Sequence, residues 1–292
     1  MAGLAAIVAV SLSAWPGSAL AAVVAPRLGT AAAYSVLAGS TVTNTGSTVV
    51  NGNLGLSPGS AVTGFPPGKV TGYIDISDGA AIKAQTDLVT AYNDAAGETP
   101  AVDKSGTDLG GQTLTPGAYK FTSSAQLTGT LTLDGQGQTN PLFVFQVGSA
   151  LTTASASRVV LINGANSCNL FWQITSSATL GTGTSFQGTL IALSSITLTT
   201  GATIGTGGGV NGGRALARNG AVTLDSNTII PPAGCTPTRA SIGPLPPGVS
   251  PLLPDTSGAS RPDSFPWIPL IAVFGIAGVL ATSVAGRRRR RS

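Results

Sequence analysis

"TLGTGTSFQGTLI", Thr179 to Ile191, reads as a short strand, a corner of Gly and Thr, and a second strand. Past the corner, Phe186, Gly188, Leu190 and Ala192 fall on one side of an alternating run, with Gln187, Thr189 and Ile191 on the other. Outward from this stretch, three others align on their leucines: "ALTTASASRVVLI" (Ala150 to Ile162), "TLTTGATIG" (Thr197 to Gly205) and "TLDSNTII" (Thr223 to Ile230). Leu151, Leu180, Leu198 and Leu224 are spaced 29, 18 and 26 residues apart. A repeated strand, corner and strand is what one coil of a parallel β-solenoid needs, and the uneven spacing implies coils of different size. The structural rival is a β-sandwich of hairpins, but Asn-Gly turns at regular short intervals are few.

One segment departs from the strand pattern. "SDGAAIKAQTDLVTAYNDAAGETP" opens with Ser77 or Asp78 as a helix cap and sets Ala81, Ala84, Leu88, Ala91 or Tyr92, and Ala95 on one face. It stops at Gly97, with Pro100 beyond. The expectation is a single amphipathic helix lying along the solenoid flank, covering an apolar sheet face.

Composition supports this class. Of 292 residues, 42% are hydrophobic but only 9% are charged and 5% aromatic, against roughly 25% charged in an average domain. The 40 Gly and 19 Pro suggest disorder in isolation, yet the short alternating runs of Val, Ile, Leu and Thr argue for a folded core. There is no His, which removes the commonest general base and metal ligand. The formal charge of +4 owes five cations to the run Arg287 to Arg291; without them the balance is −1. No basic face remains for nucleic acid.

The ends point to the cell surface. Leu4 to Trp15 is an apolar run followed by Pro16-Gly17 and Ala19-Leu20-Ala21, which fits a signal peptide over 1–21 cleaved before Ala22, though without a basic n-region. Residues 265–286 are long and apolar enough to span a bilayer as a transmembrane helix, and the arginine-rich tail 287–292 fixes its cytoplasmic side. Before it, Leu253-Pro254-Asp255-Thr256-Ser257 resembles the signal that sortases cleave after Thr in Gram-positive bacteria, although Ser257 stands where Gly is usual and residues 258–264 separate it from the apolar span. Attachment to peptidoglycan and a plain membrane anchor both stay open. Residues 231–262 form a Pro-rich stalk. In an exported chain the two cysteines, Cys168 and Cys235, are expected to form a disulfide, with two free thiols as the alternative.

The stretch "CNLFWQITSSATLGTGTSFQGTLIALSSITLTTGATIG", followed by "GRALARNGAVTLDSNTI", resembles the microbial ice-binding protein family, and the likeness extends over most of Gly29 to Ile230. The resemblance implies a discontinuous, right-handed β-solenoid of triangular section with one long helix alongside and one flat face that adsorbs to ice. The family's loose signature, Thr-Ala/Gly-any-Thr/Asn, matches at Thr45-Gly46-Ser47-Thr48 and Thr200-Gly201-Ala202-Thr203. Partial matches are Thr182-Gly183-Thr184-Ser185, Thr153-Ala154-Ser155 and Ser226-Asn227-Thr228. The expected ice-binding residues are therefore Thr45, Thr48, Thr153, Ser155, Thr182, Thr184, Thr200, Thr203, Ser226 and Thr228, with Thr189 on a different side of the triangle. Gly205 to Gly213 departs from the family pattern and reads as an added loop.

The chemistry suits this reading. Ice offers a periodic array of water oxygens, which calls for a flat, stiff, repeating surface. Parallel strands about 4.8 Å apart, with same-face residues about 6.7 Å apart along each, supply such a grid. Thr is β-branched and loses little freedom on ordering, and it carries both a methyl and a hydroxyl. The partner expected is an ice crystal surface; no cofactor, metal or catalytic residue is expected. A solenoid lyase or hydrolase needs clustered carboxylates, and here the acids are scattered, with Asp134 and Asp225 beside turns and Asp78 explained as a helix cap. A surface adhesin or structural wall protein with the same fold remains the rival function.

Overall fold

Successive coils stack large apolar side chains on one another. Tyr119, Phe145, Trp172, Leu190 and Ala215 occupy one register position on five adjacent parallel strands. The Phe145 and Trp172 rings lie 3.9 Å apart and nearly parallel, and the Tyr119 and Phe145 rings 5.4 Å apart. The Trp172 indole N–H donates to the Gln187 carbonyl at 3.0 Å, so the buried ring leaves no polar atom unpaired.

The computed structural model describes residues 23–205 and 211–235. Three all-parallel sheets of nine, seven and eight strands surround this core, here named A, B and C. The expected signal peptide, sorting motif Leu253 to Ser257, membrane span 265–286, arginine tail and most of the stalk lie outside the described residues. Among the described residues no helix is long and apolar enough to cross a membrane.

The coil order is discontinuous. Strand Tyr34–Ala38, near the start of the chain, is inserted between Asn53–Leu56 and Gly213–Ala217 in sheet A. The first coil thus docks on the last. Strand Ile74–Ile76 consequently ends one edge of sheet A, and the next strand in sequence, Ala101–Asp103, ends the other. Eight strand spacings separate those edges, roughly 38 Å. The connection is helix α1, Gly79–Gly97, about 28 Å long, laid back across the sheet. Asp78 is its cap, accepting from the Ala81 N–H at 2.8 Å, and the buried stripe is Ala81, Ala84, Leu88, Ala91, Tyr92 and Ala95, as its periodicity indicates. At the far end the Gln146 amide donates to the Ala95, Ala96 and Glu98 carbonyls, three acceptors a helix terminus would otherwise leave open.

An N-terminal strap, residues 23–33, runs beside α1 and is gripped by a stripe of carboxylates. The backbone N–H groups of Val24, Arg27 and Thr30 donate to Glu98, Asp94 and Asp87 at 2.9, 3.1 and 2.8 Å. Between them, strap and helix bury the outer face of sheet A, so that Phe171, Ile191 and Leu216 pack with Leu88 and Tyr92. The alternation after the corner is as the sequence indicates: Leu190 and Ala192 face the core. Gln187, Thr189 and Ile191 take the opposite side, but they too are buried: Ile191 lies under this cover, Thr189 beside Arg214, and Gln187 accepts from the Ser167 hydroxyl.

The leucine register differs from the sequence expectation at one coil. Leu180, Leu198 and Leu224 do share a register, but Leu151 is two positions out of step and lies opposite Ala178, leaving Thr153 level with Leu180. Of the stretch Gly205 to Gly213, expected as an added loop, residues 206–210 lie outside the described residues; strand Thr203–Ile204 ends just before it, and its last residue, Gly213, begins the strand Gly213–Ala217 of sheet A. A β-carbon on Gly213 would fall 2.2 Å from the Gly188 carbonyl oxygen, so glycine there serves close packing. The unequal coil lengths arise mainly at the passage from sheet C to sheet A. Only Gln187 separates Ser185–Phe186 from Gly188–Ala192, whereas the corresponding link after Thr130–Asp134 spans residues 135–142. Cys168 and Cys235 are bonded, S–S 2.00 Å, tying one of these links to the end of the described chain.

Candidate functional site

The ten residues expected to form one grid divide among three environments. They cluster at the corner where the chain passes from sheet B to sheet C. Thr48, Thr153 and Thr184 point inward there and are buried at 0%, 3% and 0% exposure. Their hydroxyls are spent within the fold. Thr153 and Thr184 bond one another at 2.8 Å, the Gly181 N–H donates to Thr153 Oγ1, and Thr48 Oγ1 accepts from the Asn227 N–H at 3.0 Å. These three are corner staples between coils and present nothing to an external surface.

Thr45, Ser155, Thr182, Thr200 and Ser226 are exposed along the corner ridge, while Thr203 and Thr228 lie half-exposed on sheet C. Thr200 donates to Asp225, and Thr182 and Thr199 are 3.4 Å apart through their hydroxyls. The Gly of the signature is explained by the turn. Gly183 has φ +67°, a left-handed conformation that an L side chain takes only with strain.

The extended surface lies beside this corner, on the outer face of sheet B. Its strands, in spatial order, are Ala125–Leu127, Leu151–Thr153, Ala178–Leu180, Ile196–Leu198, Val222–Asp225, Thr41–Thr45 and Ala61–Thr63. The central outward residues pair from strand to strand as Gln126, Thr152, Thr179, Thr197, Thr223, Thr43 and Thr63. Six threonines therefore stand in one unbroken file, spaced by the strand separation of about 4.8 Å. Inward residues on either side of this file, including Ala178, Leu180, Ile196, Leu198, Val222 and Leu224, are buried, which holds the file rigid from beneath.

Neighbouring outward positions are small. Ser177 and Ser195 flank the file on one side and bond to each other through their hydroxyls at 3.0 Å. On the other side are Ala154, Gly181, Thr199, Asp225 and Thr45. Asp225 is the one acidic group in this field, and the hydroxyls of Thr200 and Ser226 donate to its carboxylate. Among the described residues no group of three or more His, Cys, Asp or Glu side chains is placed to hold a metal ion.

Sheet C offers a poorer lattice. Its outward file runs Thr130, Arg158, Ser185, Thr203, Thr228, Val49 and Lys69, mixing two cations and a valine with the hydroxyls. Most of its strands are only two residues long. The file on sheet B escaped the sequence reading, although a signal was present. Apolar-Thr-Leu recurs at Ala178-Thr179-Leu180, Ile196-Thr197-Leu198 and Val222-Thr223-Leu224, and each central Thr is the single outward residue of its triplet.

Residues 36–230 match the family model described as "Ice-binding-like". A protein from Nostoc sp. (strain HG1) named "Ice-binding protein" is 56% identical over 219 residues, covering 75% of this chain and 79% of its own length. A crystal structure of an ice binding protein from an Antarctic biological consortium superposes with a TM-score of 0.67 at 48% identity, covering 74% of this chain and 95% of the other. That of an ice-binding protein from the Antarctic ascomycete Antarctomyces psychrotrophicus gives a TM-score of 0.67 at 42% identity, covering 71% of this chain and 98% of the other.

Proposed function

The chain belongs to the ice-binding-like family, and from that premise we propose that it binds ice through the outer face of sheet B. The observation that carries this choice of face is the unbroken file Thr152, Thr179, Thr197, Thr223, Thr43 and Thr63, set in a field of Ser, Ala, Gly and Thr. Ice binding demands many weak contacts made at once. Each hydroxyl or methyl gains little alone, so the free energy accumulates only if all groups already hold the lattice spacing before contact. β-branching fixes each Thr side chain, and the buried residues beneath fix the backbone, so little ordering entropy is lost on adsorption. Long charged side chains would instead sweep the surface and hold mobile water; this field contains no Lys or Arg. Asp225 is restrained by two hydroxyls and lies at the corner edge.

The test is a bulky residue in the middle of the file. Thr179→Tyr and Thr197→Tyr are expected to abolish most thermal hysteresis and ice shaping while circular dichroism and melting temperature stay as in the parent. Full hysteresis in both variants, with loss in Thr203→Tyr, would move the ice face to sheet C. A parent protein without hysteresis or recrystallisation inhibition would favour an adhesin on the same scaffold.

The site of action we propose is the cell exterior. The Cys168–Cys235 bond supports export. The motif Leu253 to Ser257, the apolar run 265–286 and the arginine tail support surface attachment, by sortase to peptidoglycan or by the span itself to the membrane. Release by wall-lytic enzyme, with mass ending at Thr256, is expected for the first; detergent extraction with the arginine tail intact is expected for the second.

A further inference from the structure

On the outer face of sheet A, the strap and the disulfide enclose a groove of about 460 Å³ lined by Pro26, Leu28, Phe171, Arg214 and the Cys168–Cys235 bridge. Its size is that of an ordinary small-molecule cleft. The walls are mostly apolar, but the groove holds a charge the fold does not neutralise. Arg214 is only 6% exposed. Its Nε donates to the Ala32 carbonyl at 3.1 Å, and its Nη1 reaches Thr189 Oγ1 at 3.4 Å. Among the described residues no carboxylate lies within ion-pair distance of it, and Nη2 has no hydrogen-bond partner.

A neighbour shows the contrast. Arg27, the other cation lining the groove, is paired with Asp94 at 2.9 Å. Arg214 has burial without such compensation, and desolvation draws its guanidinium down to about 10. An unpaired buried cation is costly to a fold, and packing alone at this position needs no charge. A guanidinium stays protonated and presents a planar fork that matches a carboxylate.

We propose that this groove binds a small organic carboxylate, its acid group on Arg214 and its apolar tail between Leu28 and Phe171. One unpaired positive charge and apolar walls suit a monoanion with a hydrocarbon tail better than a phosphate, whose second charge would find no partner. The groove is on sheet A, so occupancy is independent of ice contact at sheet B.

Titration of the full-length protein with hexanoate, using hexanamide as the neutral isostere, tests this by calorimetry or NMR shift perturbation. Hexanoate is expected to bind about tenfold more tightly than hexanamide, the margin of one charge-assisted contact. Arg214→Met is expected to bring hexanoate down to the level of the amide, and Arg214→Lys to retain part of the preference. Equal binding of the two probes by the unaltered protein overturns the proposal, as does absence of hexanoate binding. Should Arg214→Met fail to fold, that comparison on the unaltered protein decides the matter alone. Thermal hysteresis is expected to be unchanged by saturating hexanoate, so loss of ice activity in a sheet B variant leaves this test untouched.

Discussion

Strands Leu170–Ile174 and Ala178–Leu180 belong to the same coil and alternate in the same way, yet their outward residues meet opposite fates. On sheet A, outward Phe171 and Gln173 are covered by the strap and α1 and are 3% and 4% exposed. On sheet B, outward Thr179 faces solvent. The chemistry of the outward positions decides which sheet is covered. Phe171, Ile191 and Leu216 form an apolar surface that only another element can satisfy, whereas a file of threonines is content beside water. One face of the solenoid is built to be hidden and another to stay bare, and a helix with a single apolar stripe separates the two uses.

The sharpest way to break this contrast is to make the hidden face polar. Leu88 is fully buried between α1 and sheet A. Leu88→Asp places a carboxylate where neither water nor a cation can reach it, and should cost several kcal/mol. Chemical denaturation is expected to show a large drop in midpoint. An unchanged midpoint would mean that α1 contributes little to holding the stack together. The opposite manipulation, Thr197→Tyr on the bare face, should leave the midpoint alone and remove function.

The helix was legible in the sequence because nineteen residues give the 3.6-residue period room to repeat. Strand direction after the Gly183 corner was legible for the same reason, since Gly188–Ala192 has five positions on which alternation can show. The bare face was not, because a three-residue strand such as Ile196–Leu198 has one outward residue and therefore no pattern of its own. What stands out instead is Thr-Gly-any-Thr, and that is chiefly the chemistry of a corner. The turn selects Gly, and Thr48 and Thr184, one or two residues past it, supply buried hydroxyls that staple neighbouring coils. Leu151 misaligned for a related reason: its strand continues into Thr153, which takes an inward position where Leu180 and Leu198 stand on the following coils.

A smaller perturbation separates corner from face. Thr184→Val keeps the shape of the buried side chain but removes the hydroxyl bonded to Thr153 and to the Ala154 carbonyl, at 2.8 and 3.2 Å. A loss of about 1 kcal/mol is expected, the ordinary worth of a buried hydrogen bond. Thermal hysteresis per folded molecule should stay at the parental level. If Thr184→Val abolished hysteresis without altering stability, the corner would be part of the ice face after all.

The smallest effect concerns the strap, whose grip on α1 depends on charge. Lys83 and the backbone and hydroxyl of Thr30 hold the Asp87 carboxyl down at about 2. Arg27 lowers Asp94 in the same sense, while burial moves Glu98 the other way. For Asp87 and Asp94 the folded state favours the ionised form more than the unfolded chain does, so their contribution is complete above the unfolded carboxylate value of about 4. It is lost as pH falls from about 4 toward 2, when the folded carboxylates take up protons. Glu98 opposes this trend, since its protonation relieves a desolvated charge. Melting temperature is therefore expected to fall modestly across that window, because these pairs are solvent-facing and screened. Asp87→Asn should flatten the fall and leave the neutral-pH hysteresis unchanged, since the strap covers sheet A and the threonine file lies on sheet B. A profile as steep in Asp87→Asn as in the parent would assign the acid sensitivity to groups away from the strap.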